Sequence, residues 1–245
     1  MQDKFLFFDT ETTDMQSKDI VQLAIISDDG VNLNMYFNPV QEISIASMAI
    51  HHLTPEYLRD KPKFTEANYE GIPLKEYLEK LAKEYIWVAH NASFDLEVLQ
   101  KKGIEIPKSI CTFKLARNMF TEDNGKRDIE SYSLQFLRYY LGLYKKENAE
   151  HIIAHDALSD VHFLQDLFHY IQEKSSLTVE NMITISQEPP YIRTINFGKY
   201  AGRTLEDIAK MDREYLEWLR GTVSDKEDLV WNIERVLSLN KMTLF

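Results

Sequence analysis

Four carboxylates and one histidine stand where they could carry out metal-assisted hydrolysis: Asp9, Glu11, Asp95, Asp160 and His155. Asp9 and Glu11 close the apolar run Phe5–Phe8. That run reads as a strand buried on both faces, where an ionised carboxylate without a partner costs several kcal/mol. Residues i and i+2 of an extended chain point to one face, so both acids can reach a single point. A divalent cation satisfies such a pair, and oxygen-only ligands suit magnesium or manganese. Context makes the difference, because Asp-x-Glu occurs five times in this sequence and most of the copies read as solvated faces. Asp95 and Asp160 fall in the first turns of helices predicted to begin near Ser93 and to be capped by Asp156. A helix N-terminus favours the ionised carboxylate that a metal requires. The side chains of residues 9, 11, 95 and 160 are therefore expected to meet in one cup. His155, five residues before Asp160, could take a proton from bound water there, since imidazole titrates near neutral pH. The same spacing recurs at His90/Asp95 and His151/Asp156. His90 is read as holding a strand-to-helix turn and His151 as a packing or surface residue.

The elements that must position these groups follow from periodicity. After Phe5–Phe8, strands are predicted at Ile20–Ile26 and Val31–Phe37 around the turn Asp28-Asp-Gly30, an antiparallel start to a sheet. Pro73–Glu84 is amphipathic, with Leu74, Tyr77, Leu78 and Leu81 on one face. Ile86–Ala89 reads as a short buried strand, and Phe94–Lys102 as a helix stopped at Gly103. Further helices are predicted at Thr112–Phe120, Ser131–Leu141 and Ala157–Glu173. The order indicates an α/β domain, a mixed sheet flanked by helices. A polar stretch ending in Pro189-Pro190 reads as a linker, which gives a domain over 1–176, a linker over 177–191 and a small α+β module over 192–245. In that module a strand is predicted at Ile192–Phe197, and helices at Thr204–Lys210, Arg213–Arg220 and Lys226–Leu239.

The net charge of −11 argues against binding nucleic acid through a broadly basic surface. It leaves room for an enzyme that meets phosphate only at bound metal. The single cysteine, Cys111, excludes an internal disulfide framework and suits a reducing, cytoplasmic setting. No apolar run has the length of a membrane span, and none reads as a signal peptide.

Three segments carry a resemblance to a known family. Phe8-Asp-Thr-Glu-Thr-Thr13, His90-Asn-Ala-Ser-Phe-Asp95 and His155-Asp-Ala-Leu-Ser-Asp160 are similar to the three motifs of the DEDDh exonucleases, the superfamily of the DNA polymerase III proofreading subunit, RNase T and oligoribonuclease. Ala49-Ile-His-His-Leu-Thr54 resembles the family's His-Gly-Ile-Thr segment, with His52 in place of the usual glycine. Ile110–Arg117 and the tail segments Asn196–Arg203 and Tyr215–Leu219 resemble the exodeoxyribonuclease X branch. The resemblance implies an RNase H-like fold and 3′-to-5′ hydrolysis of terminal phosphodiesters to nucleoside 5′-monophosphates. It implies two Mg2+ or Mn2+ ions about 3.5–4 Å apart. Asp9 would contact both ions, Glu11 and Asp160 one, and Asp95 the second through water, with His155 as general base.

Closing on a strand end requires a pocket for the last nucleotide. Thr10 and Thr12 flank the acids and could donate to a terminal 3′ hydroxyl, and Asn91 of the second motif is counted among the substrate contacts. Met15 stands where relatives place an apolar residue against the terminal base. Phe94, His51 and Leu53 could stack bases, at about 1–3 kcal/mol per base, which favours single-stranded or frayed ends. Lys114, Arg117 and Arg138 read mostly as a solvated face, Lys126-Arg127 as a phosphate clamp, and Lys199 and Arg203 as backbone contacts or surface decoration. Lys241–Phe245 resembles short sliding-clamp-binding peptides. Expected partners are thus single-stranded DNA 3′ ends, with a sliding clamp and homodimerisation left open. RNA-end trimming is the alternative activity, and a catalytically silent scaffold is the reading from another class.

Overall fold

The run Phe5-Leu-Phe-Phe8 has no polar edge to offer water, and it becomes the middle of the sheet. A computed structural model describes residues 3–146 and 157–242. It divides into two units, one of residues up to 112 together with 134–183, the other of 113–133 together with 184–242.

In the first unit five strands form one mixed sheet. They are β1 (Phe5–Thr12), β2 (Ile20–Ser27), β3 (Asn32–Tyr36), β4 (Ile86–Ala89) and β5 (Ser109–Cys111), in the order β3-β2-β1-β4-β5. β1 pairs antiparallel with β2 and parallel with β4. Its two faces have different neighbours. Phe5 and Phe7 meet Phe168 of the helix Ala157–Lys174, with ring centroids 4.8 and 5.5 Å apart. Phe8, facing the other way, meets Trp87 of β4 at 4.9 Å. Continuing that alternation, Asp9 and Glu11 lie on the face of the Ala157 helix, and Thr10 lies on the opposite one. The pairing slips between Glu11 and Thr12, a bulge that ends the regular ladder at the acids.

The predicted helices are present as Leu74–Glu84, Ser93–Lys101, Thr112–Met119, Leu134–Tyr140 and Ala157–Lys174. A helix over Ile45–His51 and the three-residue edge strand β5 were not readable from periodicity, being too short to show one. No helix among the described residues is long and apolar enough to cross a membrane.

The second unit departs from the expected boundaries. The stretch read as a linker over 177–191 contains the helix Val179–Gln187. The strand expected at Ile192–Phe197 is reduced to a single bridge between Thr194 and Thr204. The segment 113–133 joins the tail because of Asp128. Its carboxylate accepts the backbone N–H groups of Arg193 (2.9 Å) and Thr194 (3.1 Å) and the guanidinium of Arg117 (3.2 Å). Arg117, expected on a solvated face, is thus an internal clasp, and its Nε also donates to the Tyr191 carbonyl at 2.6 Å. Ile195, Leu205, Ile208, Leu216, Leu219, Ile233 and Val236 form this unit's core. Lys199, read as a backbone contact or surface decoration, pairs with Asp212 at 2.9 Å, which also accepts from Tyr200. Gly198 has φ +70°, and a β-carbon there would lie 2.7 Å from the Tyr215 hydroxyl, so the turn requires glycine. The expectation for Lys241–Phe245 lies outside the described residues.

Candidate active site

Three of the four acids converge. Asp9, Glu11 and Asp160 are half-buried, and one oxygen from each lies within 4.8 Å of the other two. At that separation and an effective dielectric of about 20, each pair of ionised carboxylates repels by about 3.5 kcal/mol. An all-oxygen donor set under that repulsion fits a hard divalent cation. Asp160 sits in the first turn of the Ala157 helix, where the macrodipole supports its charge. The Gln135 side-chain amide donates to its Oδ1 at 2.7 Å.

Asp95 is not one of these three but is bonded to the residue between Asp9 and Glu11. It is 3% exposed, and its Oδ1 accepts both the N–H of Thr10 (3.0 Å) and the Thr10 hydroxyl (2.7 Å). Through these two bonds Asp95 is tied to β1 at the residue between Asp9 and Glu11. Burial pushes the Asp95 carboxyl up to about 7, against the lowering effect of the two Thr10 bonds and of the Lys18 charge.

The residues predicted to hold a terminal nucleotide behave differently from one another. Thr10 is 5% exposed, with its hydroxyl donating to Asp95. Thr12 is buried as well, and its hydroxyl donates to the Asp14 carbonyl at 3.2 Å. Met15 is 73% exposed, open to a ligand. His51 is buried; its Nδ1 accepts the Leu53 N–H at 3.0 Å, and burial lowers its pKa. Leu53 packs on the small cluster of Val21, Ile43 and Leu58. Phe94 is half-buried with the Lys18 ammonium 4.6 Å from its ring centroid, and Lys18 also pairs with Glu97. Asn91 is exposed at φ 61° and its carbonyl accepts the Phe94 N–H at 3.0 Å, shaping the turn before the helix. His52 takes the left-handed conformation, φ 60° and ψ 14°, so histidine adopts here the geometry that glycine allows elsewhere. His90 Nδ1 lies 2.9 Å from the Thr112 hydroxyl. His151, His155 and Asp156 lie outside the described residues.

Two residues of the site escaped the sequence reading. Gln135 was not singled out, and Arg138, read as solvated, is 5% exposed. An amide and a guanidinium on a short helix give no local signal of a distant carboxylate.

A β3-β2-β1-β4-β5 sheet whose central strand ends in a carboxylate trio is the arrangement of a hydrolytic exonuclease. The chain belongs to the exonuclease family: the model of that family, of RNase T type, matches residues 6–168. The exodeoxyribonuclease X-like C-terminal model matches residues 195–220. The chain is 31% identical over 222 residues to exodeoxyribonuclease 10 of Escherichia coli (strain K12), covering 86% of this chain and 88% of that one. It is 27% identical to the DNA polymerase III subunit epsilon of Buchnera aphidicola, over 83% of this chain and 82% of that one. Among solved structures, exonuclease X in complex with 5′-overhanging duplex DNA matches with a TM-score of 0.55 at 29% identity, covering 74% of this chain and 99% of that one. E. coli exonuclease I in complex with a 5cy-dT13 oligonucleotide matches at 0.54 and 18% identity, over 71% of this chain and 42% of that one, a likeness of fold alone.

Proposed function

We propose that this exonuclease removes nucleotides from the 3′ ends of single-stranded or frayed DNA, releasing 5′-mononucleotides, in repair or replication. The observation that carries the reading is the trio Asp9, Glu11 and Asp160 at the end of a buried strand. These three carboxylates would hold the divalent ions, Mg2+ or Mn2+. Bound there, such ions supply a nucleophilic water at neutral pH and neutralise charge on the leaving oxygen. Asp95, bonded to Thr10 between Asp9 and Glu11, would complete the acidic set. His155, two residues before the described start of the Ala157 helix, would accept the proton of the attacking water. That step is worth about 10²–10⁴-fold. Exposed Met15 and half-buried Phe94 and Leu53 would face the terminal bases. DNA is supported by the relatives, one named an exodeoxyribonuclease and one solved with 5′-overhanging duplex DNA.

One assay tests the reading: single-stranded DNA and RNA of equal sequence, labelled at the 5′ end, with Mg2+, with EDTA, and with His155→Ala. Stepwise shortening of the DNA in Mg2+ alone, strongly slowed by His155→Ala, is expected. Faster shortening of the RNA would transfer the proposal to RNA trimming, and hydrolysis in EDTA would end it.

A further inference from the structure

Asp160 is held by a residue that is itself held. On the short helix Leu134–Tyr140, Gln135 and Arg138 are three residues apart and share a face. Gln135 Nε2 donates to Asp160 Oδ1 at 2.7 Å, and Arg138 Nη1 donates to Gln135 Oε1 at 3.1 Å. Arg138 is itself anchored. It is 5% exposed, and its guanidinium carbon lies 4.0 Å from the centroid of the Phe163 ring, one turn beyond Asp160 on the same helix. It also lies 5.0 Å from the Tyr139 ring centroid.

The order of donors and acceptors matters. A guanidinium has donors only, so it can meet an amide only at the carbonyl oxygen. That contact settles which way the Gln135 amide is turned, and it sends the NH2 group toward the carboxylate. Turned the other way, the amide oxygen would face Asp160 and repel it. An ionised Asp160 accepts only from the NH2 group, so Arg138 and Asp160 select the same orientation and each reinforces the other. The charge of Arg138 therefore reaches Asp160 as a polarised hydrogen bond, not as an ion pair that would compete with a metal for the carboxylate.

We propose that Gln135 and Arg138 are positioning residues for the exonuclease centre: Arg138 fixes the Gln135 amide, and Gln135 fixes the rotation of the Asp160 carboxylate for metal binding. The inference rests on the reading of Asp160 as a metal ligand. Outer-shell partners of this kind change metal affinity by about 10–100-fold when removed.

The test is a manganese titration of the full chain, read by the electron paramagnetic resonance of free Mn2+ and, separately, by the rate on a single-stranded DNA oligonucleotide. Gln135→Leu should raise the manganese concentration for half-saturation about 10-fold in both readouts. Its KM for the oligonucleotide at saturating manganese should stay unchanged. Arg138→Met should give a shift in the same direction, and the double variant should be no weaker than Gln135→Leu alone, because Arg138 acts through Gln135. Gln135→Met, unbranched and of similar length, serves if the leucine variant fails to fold. Additive losses in the double variant, or a changed KM with unchanged manganese affinity, would overturn the inference. Asp160→Ala separates the two levels. If it abolishes manganese binding while Gln135→Leu titrates like the natural protein, only the positioning role is lost. If Asp160→Ala binds manganese normally, the metal-site reading itself fails.

Discussion

Replacing Asp9 by Asn should stabilise the metal-free protein and remove its activity. Asp9 has two carboxylate neighbours, Glu11 and Asp160, within 4.8 Å. Each repels it by about 3.5 kcal/mol at an effective dielectric of about 20, and physiological salt, with a Debye length of about 8 Å, roughly halves that. The neutral amide therefore relieves about 3–4 kcal/mol of Coulomb energy. Partial exposure of all three groups brings the net gain to the order of 1–2 kcal/mol. For a unit of this size that is a rise in melting midpoint of about 2–8 °C. The assay is differential scanning fluorimetry in EDTA and again in excess Mn2+. In EDTA the variant should melt above the natural protein. In manganese the order should reverse, because a ligand at 100 times its Kd adds about 2.7 kcal/mol to the form that binds it. A variant that melts lower in EDTA, or that gains as much from manganese as the natural protein, would refute the reasoning.

Other outcomes follow from the same geometry. Because burial raises the Asp95 carboxyl from 3.8 to about 7, the folded metal-free protein holds a proton that the unfolded chain has released. Stability in EDTA should therefore fall as pH rises from about 4 to 7 and level off above, and Asp95→Asn should flatten that slope in thermal melts across pH. Thr10→Val removes the hydroxyl bond to Asp95 and should cost about 1–3 kcal/mol in urea unfolding at pH 8, where that carboxyl is ionised. Asp128→Ala leaves half-buried Arg117 and buried Arg193 without their carboxylate partner and should destabilise the second unit by about 3–5 kcal/mol, seen as lost hydrogen-exchange protection over residues 191–195.

Much of the first unit was legible because its signals are local. The apolar run into Asp9 announces a buried central strand, and alternation places Glu11 beside Asp9. The helices bearing Asp95 and Asp160 show their periodicity and their starts. What alternation also implies, and what the sequence reading did not use, is that the Thr10 side chain must face away from both acids; its hydroxyl and N–H both go to Asp95. The boundary of the second unit was hidden for a different reason. A linker is read from composition, whereas segment 113–133 is bound to the tail by one carboxylate, Asp128, taking backbone N–H groups 65 and 66 residues away. Gln135 and Arg138 were missed on the same ground, since a bond from Gln135 to a carboxylate 25 residues on leaves no mark in its own helix.

The central claim is that Asp9, Glu11 and Asp160 hold the metal that this exonuclease uses. A crystal of the protein soaked in MnCl2, with diffraction recorded at the manganese edge, tests it at the atoms concerned. Anomalous density enclosed by these three carboxylates is the predicted result. Manganese bound elsewhere, with this trio bridged by a protein cation in an enzyme that still needs manganese to cut DNA, would contradict it.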